Sequence, residues 1–193
     1  VEAPGSVTVS EGGVYTVRGS GSNIWGSSDS GFFAYKTLRG DVTMTARIVS
    51  MDYIGHDSSK VGLMIRESLD PTARNAYVLR MPDLPNGTTK GAVFQNRLTP
   101  GATTVATQDS ELGQGRPQWS LPIWIRLVRD GDMFSGYASQ NGEDWVQLTR
   151  HSGYPSYPDT VEIPMRGEEV YIGFAMQSHI AGEALSATLD SVS

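Results

Sequence analysis

Apolar and polar residues alternate with a period of two along most of this chain. Val7 and Val9 are spaced by Ser6, Thr8 and Ser10, and Val14–Arg18 repeats the pattern. Phe32–Leu38, the long Asp41–Met51, Lys60–Glu67, Asn75–Met81, Gly91–Arg97 and Ala102–Thr107 follow. The last third holds Ile123–Arg129, Met133–Ser139, Asp144–Thr149, Val170–Gln177 and Ala184–Val192. Successive side chains of a strand point to opposite faces, so each segment reads as a half-buried strand, about thirteen in all. No longer window carries an apolar stripe of helical period. Arg39-Gly40-Asp41, Asp130-Gly131-Asp132 and Asn141-Gly142 supply hairpin punctuation, where glycine takes positive φ at no steric cost. Many short strands separated by turns predict an all-β fold, a two-sheet antiparallel sandwich formed as a single domain over 1–193.

Four segments break the alternation and read as long loops, which in a domain of this kind carry binding or ordered Ω-type structure. Gly19–Ser30 is rich in Gly and Ser and holds Trp25; Asp52–Ser59 holds His56. Gln108–Pro122 holds Trp119, and His151–Gly167 holds two Tyr-Pro pairs. Trp25 and Trp119 are expected as exposed stacking surfaces, and Trp145 as a packed strand residue. Tyr154 and Tyr157, held extended by the prolines after them, are expected to form either a sugar-stacking platform or a lid on the sandwich edge.

Alternation also sorts residues onto faces. Val61, Leu63 and Ile65 point to the core, which sends Lys60, Gly62, Met64 and Arg66 outward. Ile172, Phe174 and Met176 point inward, leaving Tyr171, Gly173, Ala175 and Gln177 outside, with His179 ending that row. Ile123, Ile125 and Leu127 face inward, so Trp124 and Arg126 face outward. Gln95 pairs with Arg97 in the same way. Small residues at the centre (Gly62, Gly173, Ala175) ringed by Arg66, Gln95, Arg97, Arg126 and Gln177 describe a shallow trough, in which guanidinium and amide groups suit vicinal sugar hydroxyls. The same set is equally compatible with residues paired among themselves or covered by a long loop.

Charge and composition narrow the chemistry. The 193 residues carry 15 basic and 21 acidic side chains, net −6, with no block of like charge. That balance argues against a nucleic-acid partner. The absence of cysteine excludes thiol catalysis, thiolate metal sites and disulfides. No apolar run is long enough for a membrane span, and Val1 is followed by no signal-peptide pattern. The two ends suggest a module excised from a larger secreted protein. Glycoside hydrolysis needs two carboxylates about 5–9.5 Å apart, and no strand carries them at suitable spacing; Glu67, Glu143-Asp144 and Glu168-Glu169 read as surface acids. There is no nucleophile elbow, and His56, His151 and His179 lie in or beside loops without zinc-ligand spacing.

Asn23-Ile-Trp-Gly-Ser-Ser-Asp-Ser30, Leu38–Arg47, Lys60–Ser68, Trp124–Arg129, Tyr171–His179 and Ala187–Val192 form one ordered series. The series resembles the bacterial DUF1349-type concanavalin-A-like modules appended to secreted glycoside hydrolases and cell-surface proteins. The resemblance implies a jelly-roll accessory module, non-catalytic, monomeric, secreted or at the cell surface, that binds a glycan and adjoins other domains of its polypeptide. Trp25, Arg66, Gln95, Arg97, Arg126, Gln177 and His179 are the expected ligand contacts. No cofactor is expected. By analogy with related sandwiches a structural calcium is considered, with Asp29 and Asp190 as candidate ligands, and Asp52 and Asp57 behind them. The alternatives are a polysaccharide lyase or hydrolase, for instance one using an arginine to neutralise a uronate and His179 as base, and a structural or adhesion domain docked on a neighbouring catalytic domain.

Overall fold

Strands whose apolar residues all lie on one face must bury that face against another sheet, and this chain does so. The computed structural model describes residues 3–88, 91–106, 119–149, 160–165, 167 and 169–193. They form strands β1 (Gly5–Val9), β2 (Tyr15–Gly19), β3 (Asn23–Trp25), β4 (Ser28–Ser30), β5 (Phe32–Arg39), β6 (Val42–Met51), β7 (Lys60–Arg66) and β8 (Asn75–Arg80). Then come β9 (Ala92–Arg97), β10 (Val105–Ala106), β11 (Ile123–Asp130), β12 (Met133–Ser139), β13 (Val146–Gln147), β14 (Val161–Glu162), β15 (Glu169–Gln177) and β16 (Leu185–Asp190).

An eight-stranded sheet runs β1-β2-β16-β6-β11-β12-β13, with β14 also on β12; a six-stranded sheet runs β10-β9-β8-β7-β15-β5. Neighbouring strands are antiparallel throughout, as in β11 against β6 and β15 against β7. The all-β sandwich expected from alternation is therefore the observed fold. The strand count is 16 rather than about thirteen because β3, β4 and β14, two or three residues long, are too short to show a period.

The main core is the layer between the sheets. Met44, Ala46, Ile48, Ile125, Leu127, Leu185 and Leu189 of one sheet meet Leu63, Ile65, Val78, Phe94, Ile172 and Met176 of the other. Trp119 joins this core at 5% exposure, which corrects its expected place as a surface stacker: its large apolar ring is worth more buried than wet. A second cluster (Ile24, Phe33, Met64, Tyr77, Leu79, Val93 and Ala175) lies on the far face of the six-stranded sheet. Met64, expected to be exposed, is fully buried there. Alternation identifies the face of a side chain, but not whether another element covers that face.

Candidate functional site

The covering element is the β3–β4 hairpin, built from the Gly/Ser-rich segment. Ile24 pairs with Asp29 across it, and Ile24 lies fully buried over the six-stranded sheet. Asp29, also on the sheet side, is the anchor. Its carboxylate accepts hydrogen bonds from Arg66 Nη1 at 3.2 Å, Arg97 Nη1 at 3.0 Å, Arg97 Nη2 at 2.6 Å and Asn75 Nδ2 at 3.1 Å. The side chains of all three charged residues are fully buried. The guanidinium nitrogens also donate to backbone, Arg66 to Ser68 O and Asp70 O and Arg97 to Ala102 O, Pro71 O, Ala73 O and Gly26 O, and to the side chains of Met64 and Thr104. Two cations sharing one anion in low dielectric are held because each guanidinium nitrogen has a hydrogen-bond partner.

This arrangement overturns the open trough. Arg66, Arg97, Gln95 and Gln177 do share the outer face of one sheet, but they are closed over and bonded to protein. Gln95 donates to Ile24 O at 2.9 Å and accepts from Lys60 Nζ; Gln177 donates to Ser58 O at 2.6 Å. Gly62 and Gly173 are not a trough floor. A Cβ on Gly62 would stand 2.0 Å from Val78 O, and one on Gly173 1.9 Å from Ala34 O, so these glycines let neighbouring backbones approach. Asp29, a candidate calcium ligand, is instead the counter-ion of two guanidinium groups, whose positive charge opposes a cation there.

Lys60 fastens the other end of the hairpin. Its Nζ donates to Ile24 O at 2.9 Å, Gln95 Oε1 at 3.2 Å and Asn23 Oδ1 at 3.4 Å, and sits 5.0 Å from the Trp25 ring. Burial lowers its pKa to about 8, partly offset by the charge of Asp29. The unfolded chain then binds a proton that the native chain lacks between about pH 10.5 and 8, so this amine's contribution is present at high pH and lost as pH falls through 8. The rise in stability from pH 8 to 10 is expected to be about 2–3 kcal/mol larger in the wild type than in Lys60→Met, read from urea midpoints. Equal rises would show that the amine is not desolvated.

Trp25 and His179 remain at the rim of the hairpin. Trp25 is 40% exposed. His179 holds a left-handed conformation at φ 63°, with Nδ1 bonded to Ser22 O and its ring edge-on to His56 at 4.0 Å between centroids. His179 thus ties the hairpin base to the 52–59 loop. His151, Tyr154 and Tyr157 lie outside the described residues.

Arg126 belongs to the other sheet, on its outer face. In β11, Trp124 and Arg126 point outward beside Arg47 and Thr45 of β6, and beside Ser139 and Tyr137 of β12. One row reads Asp190, Arg47, Trp124, Ser139; the next reads Thr45, Arg126, Tyr137, Gln147. Asp190, the other calcium candidate, accepts a forked pair from Arg47 Nε at 2.8 Å and Nη2, which raises the arginine pKa and lowers that of Asp190. Arg47 lies 5.8 Å from the Trp124 ring, and Trp124 packs under the Gly142 turn, where a Cβ would meet it at 2.8 Å. The Arg126 guanidinium stacks 3.7 Å from the Trp145 ring centroid and donates Nε to Thr45 Oγ1 at 3.3 Å. Trp145 Nε1 donates to Gly142 O, fixing the ring plane. Trp124, Arg126, Tyr137, Trp145 and Gln147 are all half-buried. Trp145 was expected to pack as a strand residue; the Asn141-Gly142 turn lays it over Arg126 just before β13. That turn is the sequence signal that could have found it.

Two of the acids singled out by the sequence lie against arginines. Glu67 is bonded to Arg74 at 2.8 Å, and Glu169 lies 3.8 Å from Arg39. Among the described residues no three His, Asp or Glu side chains converge as metal ligands, and no helix is long and apolar enough to cross a membrane.

No protein-family model matches the chain, and no curated protein matches it. Solved structures do. A functionally unknown protein from Saccharomyces cerevisiae superposes with TM-score 0.65 at 17% identity, covering 100% of this chain and 92% of that one. The Bacteroides ovatus protein described as xyloglucan PUL GH43B gives 0.53 at 13% identity, over 91% of this chain and 32% of that one. The Lotus tetragonolobus seed lectin gives 0.51 at 10% identity, over 97% and 88%. At these identities the likeness is one of fold alone, an antiparallel two-sheet β-sandwich.

Proposed function

We propose that this chain is a non-catalytic carbohydrate-binding module whose glycan lies on the outer face of the eight-stranded sheet, over Trp124, Arg126, Tyr137 and Trp145. The observation that carries the reading is the Trp145 indole stacked over the Arg126 guanidinium, both half-buried on the outer face of the eight-stranded sheet. A fixed aromatic plane offers stacking area to the apolar face of a sugar ring, and the polar neighbours address its hydroxyls. The fold shared with a seed lectin and with part of a GH43B chain supports a carbohydrate-related role. The ordered motifs that resemble DUF1349-type modules support an accessory place in a bacterial secreted or cell-surface protein, as a monomer beside other domains. A structural calcium is not part of this reading.

Affinity electrophoresis and calorimetry against a polysaccharide panel test it. Trp145→Ala is expected to weaken binding by about tenfold or more, the usual size of a lost aromatic anchor. Trp25→Ala, at the hairpin rim on the opposite sheet, is expected to leave affinity unchanged. The reverse outcome would move the site to the rim. Release of reducing or unsaturated sugar from any member of the panel would replace the binding-module reading with the enzymatic one.

A further inference from the structure

Resting on the reading of that face as the glycan site, we infer that its ligand is anionic: a polysaccharide bearing carboxylate or sulfate groups, engaged by the Arg126 guanidinium. Arg47 and Arg126 stand in adjacent rows, but their charges are used differently. Asp190 is the one carboxylate in these two rows, and Arg47 takes both of its oxygens. Among the described residues Arg126 uses only Nε, on the neutral Thr45 hydroxyl, and stacks on neutral Trp145. No ion pair engages its Nη1 and Nη2 among the described residues.

The geometry prepares that fork. A guanidinium stacked on an indole and pinned at Nε has already lost most of its rotational freedom, so little more is lost when a planar or tetrahedral oxyanion takes the two terminal nitrogens. Arg18 of β2 is exposed on the same face opposite Ser186, but it lies three strands from β11 and beside Asp52, too far to share an oxyanion with Arg126. The chain as a whole carries −6 and would repel a polyanion, so attraction has to come from a local field such as that of Arg126. Asp130 lies at the far end of β11, four residues or about 13 Å from Arg126. Glu143 and Asp144 belong to the turn before Trp145, where Asp144 is held by Asn141 Nδ2 at 2.8 Å. A neutral glycan would leave the Arg126 charge uncompensated; an anionic one completes it.

Calorimetry with polygalacturonate (carboxylate), carrageenan (sulfate) and xyloglucan (neutral) tests the class. The expected result is that a charged polymer binds about tenfold or more tighter than the neutral one. Its affinity should fall steeply from about 50 to about 500 mM NaCl and also in Arg126→Gln, whose fold is checked by its unfolding midpoint. Which charged polymer binds distinguishes carboxylate from sulfate. Xyloglucan binding as tightly, with no response to salt or to Arg126→Gln, overturns the anionic class and leaves the glycan site standing. Binding of none of these polymers or of the wider panel brings down both. A charged polymer whose affinity survives Arg126→Gln overturns the role of this guanidinium.

Discussion

Replacing Asp29 by alanine is expected to lower the unfolding free energy by about 3–5 kcal/mol, the cost of leaving buried charge without its partner. Two guanidinium groups with fully buried side chains would face each other across the vacated site. Their like charges then raise the cost of each, and Asn75 Nδ2 loses an acceptor as well. Against a total stability of about 5–15 kcal/mol this is a large fraction, and the thermal midpoint should fall by about 10 °C or more. Urea denaturation measures the first quantity and calorimetric scanning the second. The double variant Asp29→Ala with Arg97→Met should cost less than the sum of its parts, because removing one cation relieves the other. A loss below about 1 kcal/mol would mean that water reaches the triad, and that the hairpin is held by Ile24 and Lys60 instead.

A methyl group on Gly62 is expected to be nearly as damaging. β7 lies inside the six-stranded sheet, paired with β8 through Gly62 and Leu79 and with β15 through Gly62 and Ala175. The added carbon would stand 2.0 Å from Val78 O and 2.7 Å from Leu79 Cα, both backbone atoms fixed by the ladder. Relief requires spreading two strands that also carry Leu63 and Val78 into the main core. Gly62→Ala should therefore cost about 3 kcal/mol or more, at the upper end for overpacked interiors. Gly12→Ala is the control, since its nearest neighbour is Ser10 Oγ at 3.8 Å; it should stay within about 0.5 kcal/mol of wild type by the same denaturation. Equal effects at the two positions would show that the close approach at Gly62 is not enforced.

These two results bear on how the molecule divides its labour. The six-stranded sheet spends Arg66, Arg97, Gln95 and Lys60 on fastening a hairpin and Gln177 on the 52–59 loop, so these buried residues hold the fold. The eight-stranded sheet keeps Trp124, Arg126, Tyr137 and Trp145 half-buried on its outer face, with no ion pair to Arg126 among the described residues. On the proposed reading, Trp145→Ala and Arg126→Gln lower affinity and leave the unfolding midpoint in place, whereas Asp29→Ala lowers the midpoint. Combining the binding assays with the denaturation series separates the two roles residue by residue.

The period-two pattern was sufficient to determine the fold class, the strands that carry the core and the face on which each long strand places its polar residues. Val61, Leu63 and Ile65 had to point one way and Arg66 the other, because a strand offers only two directions and burial claims one of them. The pattern was silent on β3, β4 and β14, which are shorter than the period needs to declare itself. It was equally silent on what covers a face. Arg66 and Arg126 look alike in sequence, each following an inward isoleucine, yet one is closed beneath Asp29 and the other is half-buried against Trp145. That difference is a matter of long-range contact: Asp29 reaches Arg97 across 68 residues, and no local alternation encodes the distance. Only the tertiary structure decides which polar face meets solvent, because solvation of a charge is set by the atoms that come to lie over it and not by its neighbours along the chain.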